Sequence, residues 1–133
     1  MEYGEFLDHV QKLSGIRPPE LLTRAVRATF ETLGERIDDT ERHDLAAELP
    51  AGLKEPLFAQ PDSQSFPLDE FYGRIAARSG LSRSEAVKVA RAVMVTLHQV
   101  ITSGELGDVL ALLPDEFLDL FVLEPEEPQP PTA

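Results

Sequence analysis

Arg27 and Arg91 are the residues of this chain best placed to do chemistry. Each falls in a mostly apolar stretch, and each is followed seventeen residues later by an aspartate, Asp44 or Asp108. A guanidinium in such surroundings needs a partner, because an unpaired buried charge is costly. A helix–turn–helix return would carry each arginine to its aspartate. The bidentate geometry of such a pair suits a junction that fixes one helix to another. The second use of the same residues is ligand binding, with both guanidiniums lining an anion pocket. Structural pairs are the commoner use, so Arg27–Asp44 and Arg91–Asp108 ion pairs are expected ahead of the pocket.

Other chemistry has weaker support. The three histidines are His9, His43 and His98, and only His43 has a carboxylate at helical ligand spacing, Asp39. No His-x-x-x-His or Glu-x-x-His pair occurs, so solvated or helix-end histidines are expected and a metal site is not. Glu31 and Glu35 lie one turn apart on the polar face of a helix. With 24 acidic residues in the chain such pairs arise by chance, and a charged solvent face accounts for them. Asp38-x-x-Glu41 and Thr102-x-x-Glu105 both read as capping boxes, in which the glutamate reaches back to the start of its helix. That reading leaves Glu41 and Glu105 no catalytic task. Nucleophile-elbow, Walker-type and dinucleotide-binding glycine motifs do not occur. The absence of cysteine excludes disulfides, thiolate catalysis and cysteine-based zinc sites, and fits a reducing cytoplasm. No catalytic residue, cofactor or metal is therefore expected.

The elements that must position these residues recur along the chain. Glu5-Phe6 and Ser14-Gly15 return 65 positions later as Glu70-Phe71 and Ser79-Gly80. After the loss of one residue, Arg27-Ala28, Thr32-Leu33, Glu41, Asp44 and Leu49-Pro50 return 64 positions later. Such a period predicts two copies of one helical unit sharing a core. In the first unit, Phe6, Val10 and Leu13 make one stripe over Glu2–Ser14, stopped by Gly15. Pro18-Pro19 opens a second helix whose apolar face is Leu22, Val26, Phe30, Leu33 and Ile37. Its counterpart, Ser82–Thr102, starts with the capping box Ser82-x-x-Glu85 and carries so many valines that it is expected to be the most buried element. A third helix ends near Leu49-Pro50 or Leu113-Pro114. A short fourth presents Leu53, Leu57 and Phe58 in one unit and Phe117, Leu120 and Phe121 in the other. Gly34 and Gly104 are expected at helix ends.

The expected architecture is thus an all-α, internally duplicated helical bundle of two repeats of about four helices with pseudo-twofold packing. Residues 1–122 form one domain: repeat one is 1–58, a linker 59–66, and repeat two 67–122. The two long helices, Pro18–Ile37 and Ser82–Ile101, should meet at its centre. Residues 123–133, with four prolines, are an acidic tail without apolar period, and disorder is expected there. Its Pro128-x-x-Pro131 is formally a Pro-x-x-Pro motif.

Charge and hydropathy narrow the partners. Twelve basic residues against 24 acidic ones give a formal net charge of −12. Nucleic acid and anionic membrane surfaces repel such a chain. No apolar run approaches the ~20 residues of a membrane span. The acidic opening residues, Met1–Glu5, are unlike the basic start of a signal peptide.

The chain resembles the bacterial "domain of unknown function 2267" proteins. The resemblance lies in Glu5-Phe6, Gly15, Arg27-Ala28-x-x-x-Thr32-Leu33 and Leu45-Ala46-Ala47-x-Leu49-Pro50. It continues through Leu68-Asp69-Glu70-Phe71-Tyr72, Ala90-Arg91-Ala92-Val93, Gly104-Glu105-x-x-Asp108-Val109 and Leu113-Pro114. One departure is Pro67, where a capping serine is more typical. The resemblance implies a compact, duplicated all-helical fold in a bacterial, cytoplasmic protein. It supplies no activity and no catalytic residues.

The expected function is a small non-enzymatic protein-interaction or adaptor module, for which a basic protein partner suits the charge. The alternative is a small-anion binding protein or an unfamiliar enzyme with its site between the repeats, near Arg27 and Arg91. Homo-oligomerisation follows if the Ser82 helix leaves apolar residues exposed.

Overall fold

The computed structural model describes residues 1–122, and all regular structure in them is helical. The elements are α1 (Tyr3–Ser14), α2 (Pro19–Arg36), α3 (Asp39–Glu48), α4 (Leu68–Ser79), α5 (Arg83–Val100) and α6 (Ser103–Ala111). Single 3-10 stretches follow α3 and α6, at Glu55–Phe58 and Asp115–Phe121. The expected disorder at 123–133 and the Pro-x-x-Pro motif lie outside the described residues. No helix among the described residues is long and apolar enough to cross a membrane.

Local chemistry sets the helix ends. Gly15 and Gly80 adopt φ of +70° and +78°, and their N–H groups close the last turns of α1 and α4 on Gln11 and Ala76 carbonyls. Only glycine takes that backbone without a Cβ penalty. At the start of α5 the capping box is complete. Ser82 Oγ accepts from the Glu85 N–H at 3.2 Å, and Glu85 Oε1 accepts from the Ser82 N–H at 3.1 Å.

The helices interleave. α1 packs chiefly on α5 and α4 on α2, with α4 also lying along α5. α2 and α5 touch, and α3 rests on α6. The buried apolar residues form one cluster, with Phe6, Phe30, Phe71 and Phe117 fully buried. Phe6 meets Phe30 at a centroid distance of 5.8 Å, and Phe71 meets Phe117 edge-on at 5.6 Å. Each such ring contributes roughly 1.5–3 kcal/mol by leaving water.

Three expectations are corrected. α2, not α5, is the more buried of the long helices, with eleven of eighteen residues buried against eight of eighteen. The causes are the Glu55–Phe58 stretch, which packs on α2, and the 59–66 segment, which is laid along the end of α2. The Gln64 N–H donates to the Glu35 carbonyl at 2.7 Å, and the Ser63 hydroxyl to the Ile37 carbonyl at 2.7 Å. Arg36 Nε donates to the Phe66 carbonyl at 2.8 Å, and Arg42 Nη1 to that of Gln60 at 3.0 Å. The first two bonds satisfy carbonyls that a helix end otherwise leaves open, and the two arginines satisfy carbonyls of the segment itself. Leu13 and Phe58 lie outside the core, at 42% and 39% exposure. Phe58 instead meets the edge of His43. Gly34 lies in the last turn of α2 and Gly104 in the first turn of α6, so both fall at helix ends without capping them.

Candidate functional site

The junction of α3 and α6 holds the most unusual chemistry of the chain. Each helix opens as the sequence predicts, but only by half. Asp38 Oδ1 accepts from the Glu41 N–H at 2.8 Å, and Thr102 Oγ1 from the Glu105 N–H at 3.2 Å. The reciprocal bonds from the glutamates are not made. Both side chains turn inward instead, and Glu41 and Glu105 are each only 6% exposed. Carboxylate oxygens of Glu41, Glu105 and Asp108 lie within 4.8 Å of one another, with Asp108 on the solvent side. Glu41 Oε2 and Glu105 Oε1 are buried and have no hydrogen-bond partner among the described residues.

Neighbouring acids deepen the negative field. Glu48 ties the end of α3 to the start of α6: its two oxygens accept from the Thr102 N–H at 2.6 Å and the Thr102 hydroxyl at 3.1 Å. A carboxylate at a helix N-terminus also meets the positive end of the dipole. The Glu105 carboxyl is pushed well above its usual range. Burial is the leading cause, followed by the hydrogen bond with Glu41 and the charges of Glu41, Glu48 and Asp44. Facing carboxylates in a poorly hydrated site cannot both stay charged without a proton or a cation between them.

The two arginines do not meet in this junction. Arg27 is exposed on α2 and makes no ion pair or hydrogen bond among the described residues, so the Arg27–Asp44 pair is not formed. Its charge stays in water and needs no partner. Arg91 is paired, but with Asp119 and not Asp108. Its Nη2 lies 2.9 Å from Asp119 Oδ2, and its Nε donates to the Asp119 carbonyl at 3.2 Å. The Asp115–Phe121 stretch folds back over α5, while α6 carries Asp108 away towards α3. Tyr72 completes the group by donating its hydroxyl to Asp119 Oδ2 at 2.8 Å. A surface groove of about 470 Å³ between α1 and the start of α2 is lined by Leu7, Asp8, Ile16, Arg17 and Leu22, and by neither Arg27 nor Arg91.

The Arg91 and Tyr72 hydrogen bonds, in that order, hold Asp119 below the usual aspartate range. An acid with a depressed folded pKa stabilises the fold above its unfolded pKa, and that contribution is lost as pH falls through the folded value. Asp119→Asn should therefore flatten the loss of stability below about pH 4. Its cost at neutral pH should be about 1 kcal/mol or less, because the Asp119 side chain is 40% exposed. Urea unfolding from acidic to neutral pH checks this. Parallel curves for the variant and the unsubstituted protein would remove the pair as a source of acid sensitivity.

Residues 3–120 match the model of a family described as "Uncharacterized conserved protein (DUF2267)". The chain belongs to this family. No curated protein matches it. The DUF2267 match takes in all six helices, and with them Glu41, Glu105, Asp108, Arg27 and Arg91.

Two further features of this DUF2267 chain bear on what its charges do. Glu35 is not on a solvent face but 3% exposed, held between α2 and α4. Arg74 Nη1 approaches it at 2.7 Å and Arg78 Nη2 at 3.0 Å, while Arg78 Nη1 donates to Thr32 Oγ1 at 2.9 Å. Arg74 also pairs with Glu70 and lies 3.9 Å over the Phe66 ring. The histidines are all exposed, and His43 Nδ1 lies 2.9 Å from the Asp39 carbonyl. Sequence reasoning missed Glu41 and Glu105 as a pair. The signal was there in their recurrence 64 positions apart, together with Asp44 and Asp108.

Proposed function

We propose that this chain is a non-enzymatic protein-interaction module, built from two copies of one helical unit, and that its α3–α6 face receives a basic segment of a partner protein. The observation that carries this reading is the charge of that face. Asp44 and Asp108 are exposed there, and α3 and α6 together expose no lysine or arginine. Arg42, the one arginine in either helix, is turned inward at 3% exposure. A surface of one sign speeds encounter with a partner of the other sign and rejects like-charged ones. The engagement of Arg91 with Asp119 supports this reading over an anion pocket between the units.

Duplication with pseudo-twofold symmetry is supported by matched element lengths: α1 and α4 each have 12 residues, and α2 and α5 each have 18. The exchange of partners, α1 on α5 and α4 on α2, is what a twofold relation between units produces. It also brings Glu41 opposite Glu105, two residues 64 apart in sequence.

The test is capture of partners on immobilised protein, with and without the paired substitution Asp44→Lys and Ala47→Lys on the exposed side of α3. A basic protein held by the unsubstituted chain, released by moderate salt and lost by the folded variant is expected. Equal retention by the variant would overturn the assignment of this face.

A further inference from the structure

We propose that Glu41, Glu105 and Asp108 form a binding site for a hard divalent cation at the α3–α6 junction. The site does not depend on the identity of any protein partner. Its geometry is already that of a ligand set, since the three carboxylate oxygens lie within 4.8 Å of one another. Oxygens on opposite sides of one ion are separated by roughly 4 Å for Mg²⁺ and roughly 5 Å for Ca²⁺. Spacings up to 4.8 Å suit Ca²⁺, and small side-chain rotations would draw the oxygens in for Mg²⁺.

The second observation is the pair of orphaned atoms. Glu41 Oε2 and Glu105 Oε1 belong to side chains more than nine-tenths buried, and neither finds a donor among the described residues. Buried acceptors of this kind are rare unless something fills them. The capping residues cannot supply the missing donor: Asp38 Oδ1 accepts from the Glu41 N–H, and Thr102 Oγ1 accepts from the Glu105 N–H while its hydroxyl donates to Glu48. No arginine or lysine among the described residues pairs with them: Arg42 turns its terminal nitrogens to Gln60, Ser63 and Asp39. A shared proton would relieve the Glu41–Glu105 contact but would leave Asp108 charged beside it, with Asp44 and Glu48 adding to the field. A divalent ion satisfies all three oxygens together. Asp108, exposed, gives the ion a route from solvent and leaves room for water to complete its shell.

The donor set selects the class of metal. All three ligands are carboxylate oxygens, and neither thiol nor imidazole takes part. That favours Mg²⁺, Mn²⁺ or Ca²⁺ over zinc or copper.

The experiment uses the full chain, freed of metal by chelation and titrated with Mn²⁺, Mg²⁺ or Ca²⁺ at constant ionic strength. Mn²⁺ binding is counted by electron paramagnetic resonance, and thermal unfolding is followed for all three ions. The expected result is saturation at one ion per chain, with a dissociation constant of about 1 mM or tighter, and a higher Tm on loading. Asp108→Asn, at an exposed position, should weaken binding about tenfold or more, a loss of about 1.4 kcal/mol. Glu105→Gln, which removes one charged ligand, should abolish it. Absence of saturable binding, or equal binding by Asp108→Asn and the unsubstituted chain, would overturn the site.

Discussion

Gly34→Ala is expected to destabilise the fold by about 3 kcal/mol, although alanine is the better helix former. In an exposed helix interior the same change stabilises by about 1 kcal/mol. Gly34 lies where α2 meets the 3-10 stretch Glu55–Phe58, and a methyl group there would overlap the carbonyl oxygen, carbonyl carbon and Cα of Leu57. These are backbone atoms, so no side chain can rotate away. The stretch must lift, and it takes with it Leu57, whose side chain is fully buried. Gly73, inside α4, has no atom near the position of an added methyl, and Gly73→Ala should stabilise by about 0.5–1 kcal/mol. Urea midpoints for the two variants measure the contrast. Equal or higher stability for Gly34→Ala would mean that helix and turn do not approach so closely.

What the sequence made legible is mostly what local pattern decides. Phe6 and Val10 in α1, and Phe71 and Ile75 in α4, are buried as their spacing predicts, and Gly15 and Gly80 stop the helices as expected. The capping box at Ser82 is complete because both of its bonds lie within one turn. The pattern at Asp38 and Thr102 is the same in sequence, yet Glu41 and Glu105 leave their own helix starts and turn to each other. Whether a glutamate reaches back or inward depends on what the helix packs against. For α3 that is α6, more than fifty residues away in sequence. The seventeen-residue spacing from Arg27 to Asp44 and from Arg91 to Asp108 failed for a related reason. A spacing that recurs in sequence does not show that the two residues touch. Arg91 took the nearer carboxylate offered by the return of the Asp115–Phe121 stretch, and Arg27 stayed in water. Glu31 and Glu35 share a helical face, but only Glu35 is covered by α4 and the 59–66 segment.

Glu35→Ala is the second large loss expected, at about 3 kcal/mol. The Glu35 side chain is 4% exposed and holds Arg74 and Arg78 from α4 against α2, whereas the arginines are 22% and 24% exposed. Removal of the carboxylate leaves two neighbouring guanidiniums without their shared buried partner, with Glu70 remaining to Arg74. Their partial exposure lets them turn towards water, which places the cost at the lower end of the range for a broken buried pair. Arg78 also loses the anchor that presents it to Thr32 Oγ1. A double-mutant cycle with Arg78→Ala should give a coupling energy of about 1–2 kcal/mol, well beyond that of an exposed pair. The Arg83–Asp69 pair supplies that comparison in the same molecule, with side chains 52% and 83% exposed. Raised salt should erase the Arg83–Asp69 coupling and leave most of the Glu35–Arg78 coupling, because buried charges are poorly screened. If both couplings vanished together in salt, Glu35 would be a surface charge after all, and the clamp between α2 and α4 would rest on apolar contacts alone.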